Sequence, residues 1–232
     1  MAASPCSAGI CNNRKEEILA DIFRRKPDVI GFSCYIWNFG MVQELLLELP
    51  KLLPGTDIWL GGPEVSFDGA KLLEKYPGVT GIMSGEGEQT FKELLVYYKG
   101  TIGNLEDIKG LILRSGATAQ REPLDMDTLP FLYDDLSVFD NKIIYYESSR
   151  GCPFRCSYCL SAIDKNVRIR NFSTVKQELK FFLEHQVPQV KFIDRTFNCN
   201  HEHAMSVWKY IMENDNGVTN FHFEIAADIM TG

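Results

Sequence analysis

Three cysteines share one short run, Ser148-Ser149-Arg150-Gly151-Cys152-Pro153-Phe154-Arg155-Cys156-Ser157-Tyr158-Cys159, with the spacing C-x3-C-x2-C. Thiolates are soft donors and suit iron–sulfur sites. Three of them hold three irons of a cubane cluster and leave the fourth without a protein ligand. Ordinary ferredoxin clusters take four Cys, so a three-Cys set keeps one corner open for chemistry. A structural zinc site needs a fourth closing ligand, and the candidates Cys199, His201 and His203 lie about 40 residues downstream. The bland alternative is a chance grouping of buried thiols, since cysteine is often buried. Gly151 and Pro153, however, mark a tight turn rather than a core element.

Composition sets the frame for that loop. The chain has 232 residues, 45% apolar and 24% charged, ordinary values for a globular protein of one large or two small domains. No apolar stretch approaches a bilayer span. Residues 1–17 lack an apolar segment and do not read as a secretory signal. Seven Cys without a regular framework point to a reducing compartment and a cytoplasmic location. A formal net charge of −7 disfavours a nucleic-acid backbone as main partner.

The elements that must position the loop follow from periodicity. Ile18, Leu19, Ile22 and Phe23 recur at helical spacing, and Pro27 ends that helix. Residues 28–33 read as a buried strand and Met41 to Leu49 as a helix. Residues 57–60 form the next strand, and Ser66 or Asp68 caps a short helix through Glu74. Residues 79–84 form a third strand, followed by a helix reaching Tyr98. Strands alternating with helices imply βαβ units and a parallel sheet. Residues 101–142 read as a hairpin strand at 110–115 and an ordered linker whose Phe131, Leu132 and Tyr133 are too apolar to be solvated. Strands at 143–147, 190–194 and 221–225 then alternate with a helix capped by Thr174 and Gln177 and another from Asn200 to Met212.

The cysteine run resembles the signature of the radical S-adenosylmethionine (SAM) enzymes. That resemblance implies that the amino and carboxylate groups of SAM chelate the open iron, and that one electron cleaves the sulfonium to methionine and a 5′-deoxyadenosyl radical. It also implies a (β/α)6 partial TIM barrel, of which residues 143–232 supply the first half. A half barrel leaves an unpaired strand edge, which folded proteins avoid, so the expectation is a fragment or a chain that needs a partner to complete its sheet.

The first module, residues 1–100, is similar to the cobalamin-binding domain found ahead of many radical SAM cores, a Rossmann-like (flavodoxin-like) α/β fold. The residues that carry this likeness are Ile30-Gly31-Phe32-Ser33-Cys34, Leu60-Gly61-Gly62-Pro63-Glu64 and Gly85-Glu86-Gly87-Glu88 with Thr90-Phe91. Each group sits at the carboxyl end of an expected strand, where open α/β sheets bind ligands. Ser33, Gly61, Gly62, Pro63, Gly85, Glu86, Gly87 and Glu88 are the expected cobalamin-type site. Glycines there admit a flat ring, and Glu86 and Glu88 gain from the helix dipole. Tight βα turns alone would also explain the glycines. All four His, at 185, 201, 203 and 222, lie outside this module, so the family's D-x-H-x-x-G cobalt-binding loop is absent. The family also contains members that pack cobalamin without a His ligand. The first strand of such a domain is not legible in residues 1–13.

Around the cluster, the resemblance places Tyr158 near the SAM adenine and Asp194, Asn198 and Glu224 beside SAM. Arg150, Arg155, Lys165, Arg168 and Arg170 make the loop basic, which would offset the cluster's negative charge. The reading is a radical SAM enzyme or fragment using a [4Fe–4S] cluster on Cys152, Cys156 and Cys159, together with SAM and, by family likeness, cobalamin. An electron donor such as flavodoxin or ferredoxin and an unidentified substrate are its expected partners. Two rivals are a methylthiotransferase, whose first domain would carry further cluster ligands from Cys6, Cys11 and Cys34, and a non-catalytic cobalamin- or metal-binding module.

Overall fold

The computed structural model describes residues 14–101, 103–139, 142–162, 164 and 166–229. The expected weakness of a first strand in residues 1–13 therefore lies outside the described residues, as do Cys6, Cys11 and Lys165. The chain divides into two compact units, one ending at Pro123 and one starting at Leu124. Among the described residues no helix is long and apolar enough to cross a membrane.

The first unit is an α/β sheet. Its elements are α1 (Lys15–Arg25), β1 (Val29–Ser33), α2 (Phe39–Leu52), β2 (Asp57–Gly61), α3 (Gly69–Lys75), β3 (Gly81–Met83), α4 (Gly87–Tyr98), β4 (Leu111–Leu113) and β5 (Gly116–Ala117). The strands lie in the order β1-β2-β3-β4-β5. β1, β2 and β3 pair in parallel, and β4 and β5 add an antiparallel hairpin. The hairpin thus joins the first sheet, while Phe131, Tyr133 and Leu136 of the following linker pack on the core of the second unit.

Period-two alternation explains the layering. Ile30, Phe32, Ile58 and Leu60 face the helices of one layer, where Ile18, Val42, Leu45, Leu46 and Leu49 meet them. Trp59 points the other way and packs with Leu94 of α4 and Leu111 and Leu113 of β4. Its indole Nε1 donates to the Tyr98 hydroxyl at 2.7 Å, and that hydroxyl donates to Asp57 Oδ2 at 2.7 Å. A buried polar group needs such a partner.

The second unit carries β6 (Ile144–Tyr146), β7 (Ser149–Arg150), β8 (Arg168–Ile169), α5 (Phe172–Glu184), β9 (Gln189–Phe192), α6 (His201–Glu213) and β10 (Asn220–His222). Its parallel sheet runs β10-β9-β6. Tyr146, Phe182, Phe192 and Phe197 form an aromatic core with Val175, Leu179 and Val207 of the two helices. Two expectations change. The cap of α5 is Asn171, whose side chain accepts from Ser173 N at 3.0 Å, and not Thr174: the helix begins three residues earlier than the Thr174–Gln177 pattern requires. β9 and β10 are also shorter than expected: Ile193 N still donates to Tyr146 O, but from Asp194 and at Ala226 the strand exits are held by side-chain hydrogen bonds rather than a ladder.

Replacing Tyr98 by Phe removes one hydroxyl that serves both Trp59 and Asp57, leaving a fully buried indole N–H without its acceptor. The Tyr98→Phe chain should lose about 1–3 kcal/mol of stability, read as a lower urea midpoint at unchanged slope. An unchanged midpoint would show that the chain of hydrogen bonds carries no weight.

Candidate functional site

The cysteine loop is closed by a two-residue ribbon. β7 pairs antiparallel with β8, with Ser149 opposite Ile169 and Arg150 opposite Arg168. Gly151 follows with φ +100°, a conformation that suits glycine. A Cβ there would stand 2.5 Å from the Asn166 carbonyl oxygen, so the two strands of the loop approach closely only because the residue is glycine. Cys152 N donates to Asp164 O at 3.1 Å, and Cys159 N donates to Cys156 O at 3.1 Å, which curls the C-x2-C segment into a turn. Cys152 is buried, and Cys156 and Cys159 are exposed at the mouth of the loop. Tyr158, between them, is 91% exposed.

Below the loop lies a buried polar network. Asp194 is 0% exposed and stands just past the end of β9. Its carboxylate accepts from Ser148 N at 3.1 Å, from Ser148 Oγ at 2.8 Å and from the Ser149 hydroxyl. Ser148 Oγ also lies 3.0 Å from His203 Nε2 on α6. Because that hydroxyl donates to Asp194, the imidazole is assigned as the donor to it. Burial lowers the His203 pKa, consistent with a neutral ring. Thr196 Oγ1 lies 3.6 Å from Cys152 Sγ, both buried. Asn198 brackets the backbone of Ala226, accepting from its N–H at 2.9 Å and donating to its carbonyl at 2.8 Å. Asp194 and Asn198, expected beside SAM, thus spend their polar atoms inside the protein. Glu224 keeps an exposed carboxylate, 3.4 Å from Lys191 Nζ on β9.

The expected basic character of the loop is largely consumed by ion pairs. Arg150 forks onto Glu147 at 3.0 and 2.7 Å. Arg168 meets Asp164 at 2.7 Å. Arg170 pairs with Glu178 at 3.0 Å in the interior. Arg155 is exposed. Two of the neutralising carboxylates, Glu147 and Asp164, stand only three and four residues from their partners, and a count of basic residues alone passed over them.

In the first unit the register aligns the strand ends. Ser33 pairs with Gly61, and Gly61 with Met83, so the loops that follow leave from one edge. Gly62 has φ +102°, and a Cβ on it would lie 2.5 Å from the Cys34 carbonyl oxygen. Gly61, Gly62 and Pro63 form the turn after β2, while Gly85, Glu86, Gly87 and Glu88 lead into α4, with Glu86 at its N-cap. Sequence reasoning missed the apolar surface at this edge. Ile36 and Trp37 are 80% and 68% exposed, Phe67 is also exposed, and Tyr35 stacks on Trp37 with centroids 4.6 Å apart and planes at 8°. The signal was present as Tyr35-Ile36-Trp37 directly after a buried strand.

Among the described residues no three His, Cys, Asp or Glu side chains converge on a single metal ion. Ligands of a cubane go to different irons, so their sulfurs need not share one ion. The donor set, three soft thiols on one short loop, fits three irons of such a cluster.

The network carries a pH signature. Burial holds the Asp194 carboxyl above the ordinary carboxylate range despite its serine donors. The folded state therefore keeps this proton to a higher pH than the unfolded chain, and the group's contribution to stability falls as pH rises through that interval. Asp194→Asn removes the titration and turns an amide donor toward serine donors. It should cost about 1–3 kcal/mol, and urea midpoints should show the gap to the parent protein narrowing as pH rises from about 4 toward neutrality. A gap that widens over that range would contradict this reading.

Residues 8–95 match the family described as B12 binding domain. The chain is 29% identical over 192 residues to cobalamin-dependent radical SAM methyltransferase TokK of Streptomyces tokunonensis, covering 74% of this chain and 28% of that protein. It is 28% identical over 191 residues to 2-(S-pantetheinyl)-carbapenam-3-carboxylate methyltransferase of Streptantibioticus cattleyicolor, with the same coverage. It is 31% identical over 196 residues to an uncharacterized methyltransferase of Pyrococcus horikoshii, covering 78% of this chain and 42% of that protein. Among solved structures, the cobalamin-dependent S-adenosylmethionine radical enzyme OxsB superposes with a TM-score of 0.72 at 20% identity, over 94% of this chain and 33% of its own. The radical S-adenosylmethionine methyltransferase TsrM from Kitasatospora setae, with cobalamin and a [4Fe-4S] cluster bound, gives 0.62 at 19% identity, over 87% and 43%. At such identities the superpositions show the fold. The chain spans 28 to 42% of the length of these curated relatives. Residues 8–95 thus match a B12 binding domain, and the α/β fold of the chain is that of the corresponding parts of the OxsB and TsrM structures.

Proposed function

We propose that this chain is a portion of a cobalamin-dependent radical SAM enzyme, with residues 1–100 as the cobalamin-binding-like domain, 101–142 as hairpin and linker, and 143–232 as the first part of the radical SAM core. The observation that carries this reading is the cysteine run itself, closed by the β7–β8 ribbon and seated at the ends of parallel strands. Cys152, Cys156 and Cys159 would hold three irons of a [4Fe–4S] cluster. When bound, the cluster supplies one electron to the sulfonium of SAM at its open iron, releasing methionine and a 5′-deoxyadenosyl radical. Tyr158 and Glu224, both exposed, are assigned to contact SAM. Asp194 and Asn198 are assigned to holding the strand exits that carry those contacts. A low-potential donor such as flavodoxin or ferredoxin would deliver the electron.

In the first unit, Ser33, Gly61, Gly62, Pro63, Gly85, Glu86, Gly87 and Glu88 line the strand ends assigned to cobalamin. The stacked, exposed Tyr35 and Trp37 offer a flat apolar surface for a macrocycle beside them. Burying exposed aromatic surface is a strong driving force for a ring ligand. The relatives named as methyltransferases favour methyl transfer as the reaction. The methylthiotransferase alternative is disfavoured by Cys34. Burial pushes its thiol pKa up to about 12, and Cys34 points to the Phe32 carbonyl rather than outward.

Anaerobic reconstitution with iron and sulfide should give a broad band near about 400 nm and, with SAM and dithionite, 5′-deoxyadenosine. Alanine at any one of the three loop cysteines should abolish both. About one zinc per chain without sulfide would instead support the non-catalytic module. Hydroxocobalamin should quench tryptophan fluorescence in the parent chain, and Trp37→Ala should remove most of that response; equal quenching in the two would move the ring away from this edge.

A further inference from the structure

Thr196, outside the loop, reaches one of the three loop cysteines. Its Oγ1 lies 3.6 Å from Cys152 Sγ, an ordinary separation for a hydrogen bond to sulfur, whose radius exceeds that of oxygen. Both groups are buried. In the thiol form either atom can donate. A sulfur bound to iron is a thiolate and has no proton to give, so the threonine hydroxyl must then be the donor.

The hydroxyl is held in place from both sides. Asp194, two residues earlier, is tied to Ser148 and Ser149 at the start of the loop. Phe197 N donates to Glu224 O at 2.9 Å, and Asn198 clamps Ala226. The backbone on each side of Thr196 is thus fixed against the strand exits, and Thr196 does not have to be ordered anew when metal binds. Hydrogen bonds to the sulfurs are among the factors that set an iron–sulfur potential, because they stabilise the more negative, reduced state more than the oxidised one. A hydroxyl in this dry setting exerts a larger effect than one in water.

We propose that Thr196 tunes the reduction potential of the cluster by donating a hydrogen bond to the Cys152 thiolate, making Thr196 a positioning and tuning residue rather than a catalytic one. The inference rests on the cluster assignment above. Valine at 196 keeps the shape and removes the donor; serine keeps the donor.

The test is an anaerobic redox titration of reconstituted parent, Thr196→Val and Thr196→Ser chains, followed by electron paramagnetic resonance of the reduced cluster. Thr196→Val should shift the midpoint to a more negative potential, reduction becoming about two- to tenfold less favourable, with iron and sulfide content unchanged. Thr196→Ser should titrate like the parent. Identical midpoints in parent and Thr196→Val, both loaded, would overturn the hydrogen bond while leaving the cluster assignment standing. A parent chain that assembles no cluster would overturn both. Electron-nuclear double resonance of the reduced parent protein reads the same contact without any variant. An exchangeable proton coupled to the cluster, lost in deuterium oxide, is expected, and its absence would also overturn the proposal.

Discussion

A carboxylate taken wholly out of water has to be met by donors, and Asp194 is such a group. The donors it finds are Ser148 and Ser149, which occupy the chain between β6 and the cysteine loop. One buried acid thus joins the exit of β9 to the start of the cysteine loop, 46 residues apart in sequence. His203 extends the bond network to α6, and Thr196, two residues on, brings its hydroxyl to Cys152. Without that acid, the sulfur positions would depend on a loop whose outer half is exposed. With it, at least Cys152 is fixed before any metal arrives. The arrangement also explains why Asp194 and Asn198 look like ligand-binding residues in sequence and act as braces in the fold.

The first unit uses the same geometry for a different surface. Its parallel strands end in register, and the turns after them are tight enough that Gly62 cannot be anything larger without meeting Cys34. Glycine here costs conformational entropy and yields close approach of backbone to whatever lies above. What lies at that edge is apolar and flat, the Tyr35–Trp37 stack with Ile36 and Phe67. Exposed aromatic patches of this kind mark interaction sites more often than chance. Both units therefore place their candidate chemistry at the carboxyl ends of parallel strands, the position that open α/β sheets favour for ligands.

Much of this was legible in the sequence because it is local. Cys152, Cys156 and Cys159 are close in sequence, and the short apolar runs at 28–33 and 57–60 gave β1 and β2 as strands. What was not legible depends on partners far away along the chain. No local pattern ties Ser148 to Asp194, or Arg170 to Glu178 and the Leu129 carbonyl. The loop looked more basic than it is because its cations were counted without the neighbouring Glu147 and Asp164. The cap of α5 was misplaced for a different reason. Asn171 and Thr174 both suit a cap, and it is the Asn171 side chain that accepts from the first turn.

The account stands or falls on three thiolates leaving one iron of a cubane open. The most direct measurement is Mössbauer spectroscopy of the chain reconstituted with 57Fe, recorded with and without SAM. The account predicts a [4Fe–4S] spectrum in which SAM alters the parameters of a single iron. Mononuclear or [2Fe–2S] iron, or a cubane whose spectrum SAM leaves untouched, would contradict it.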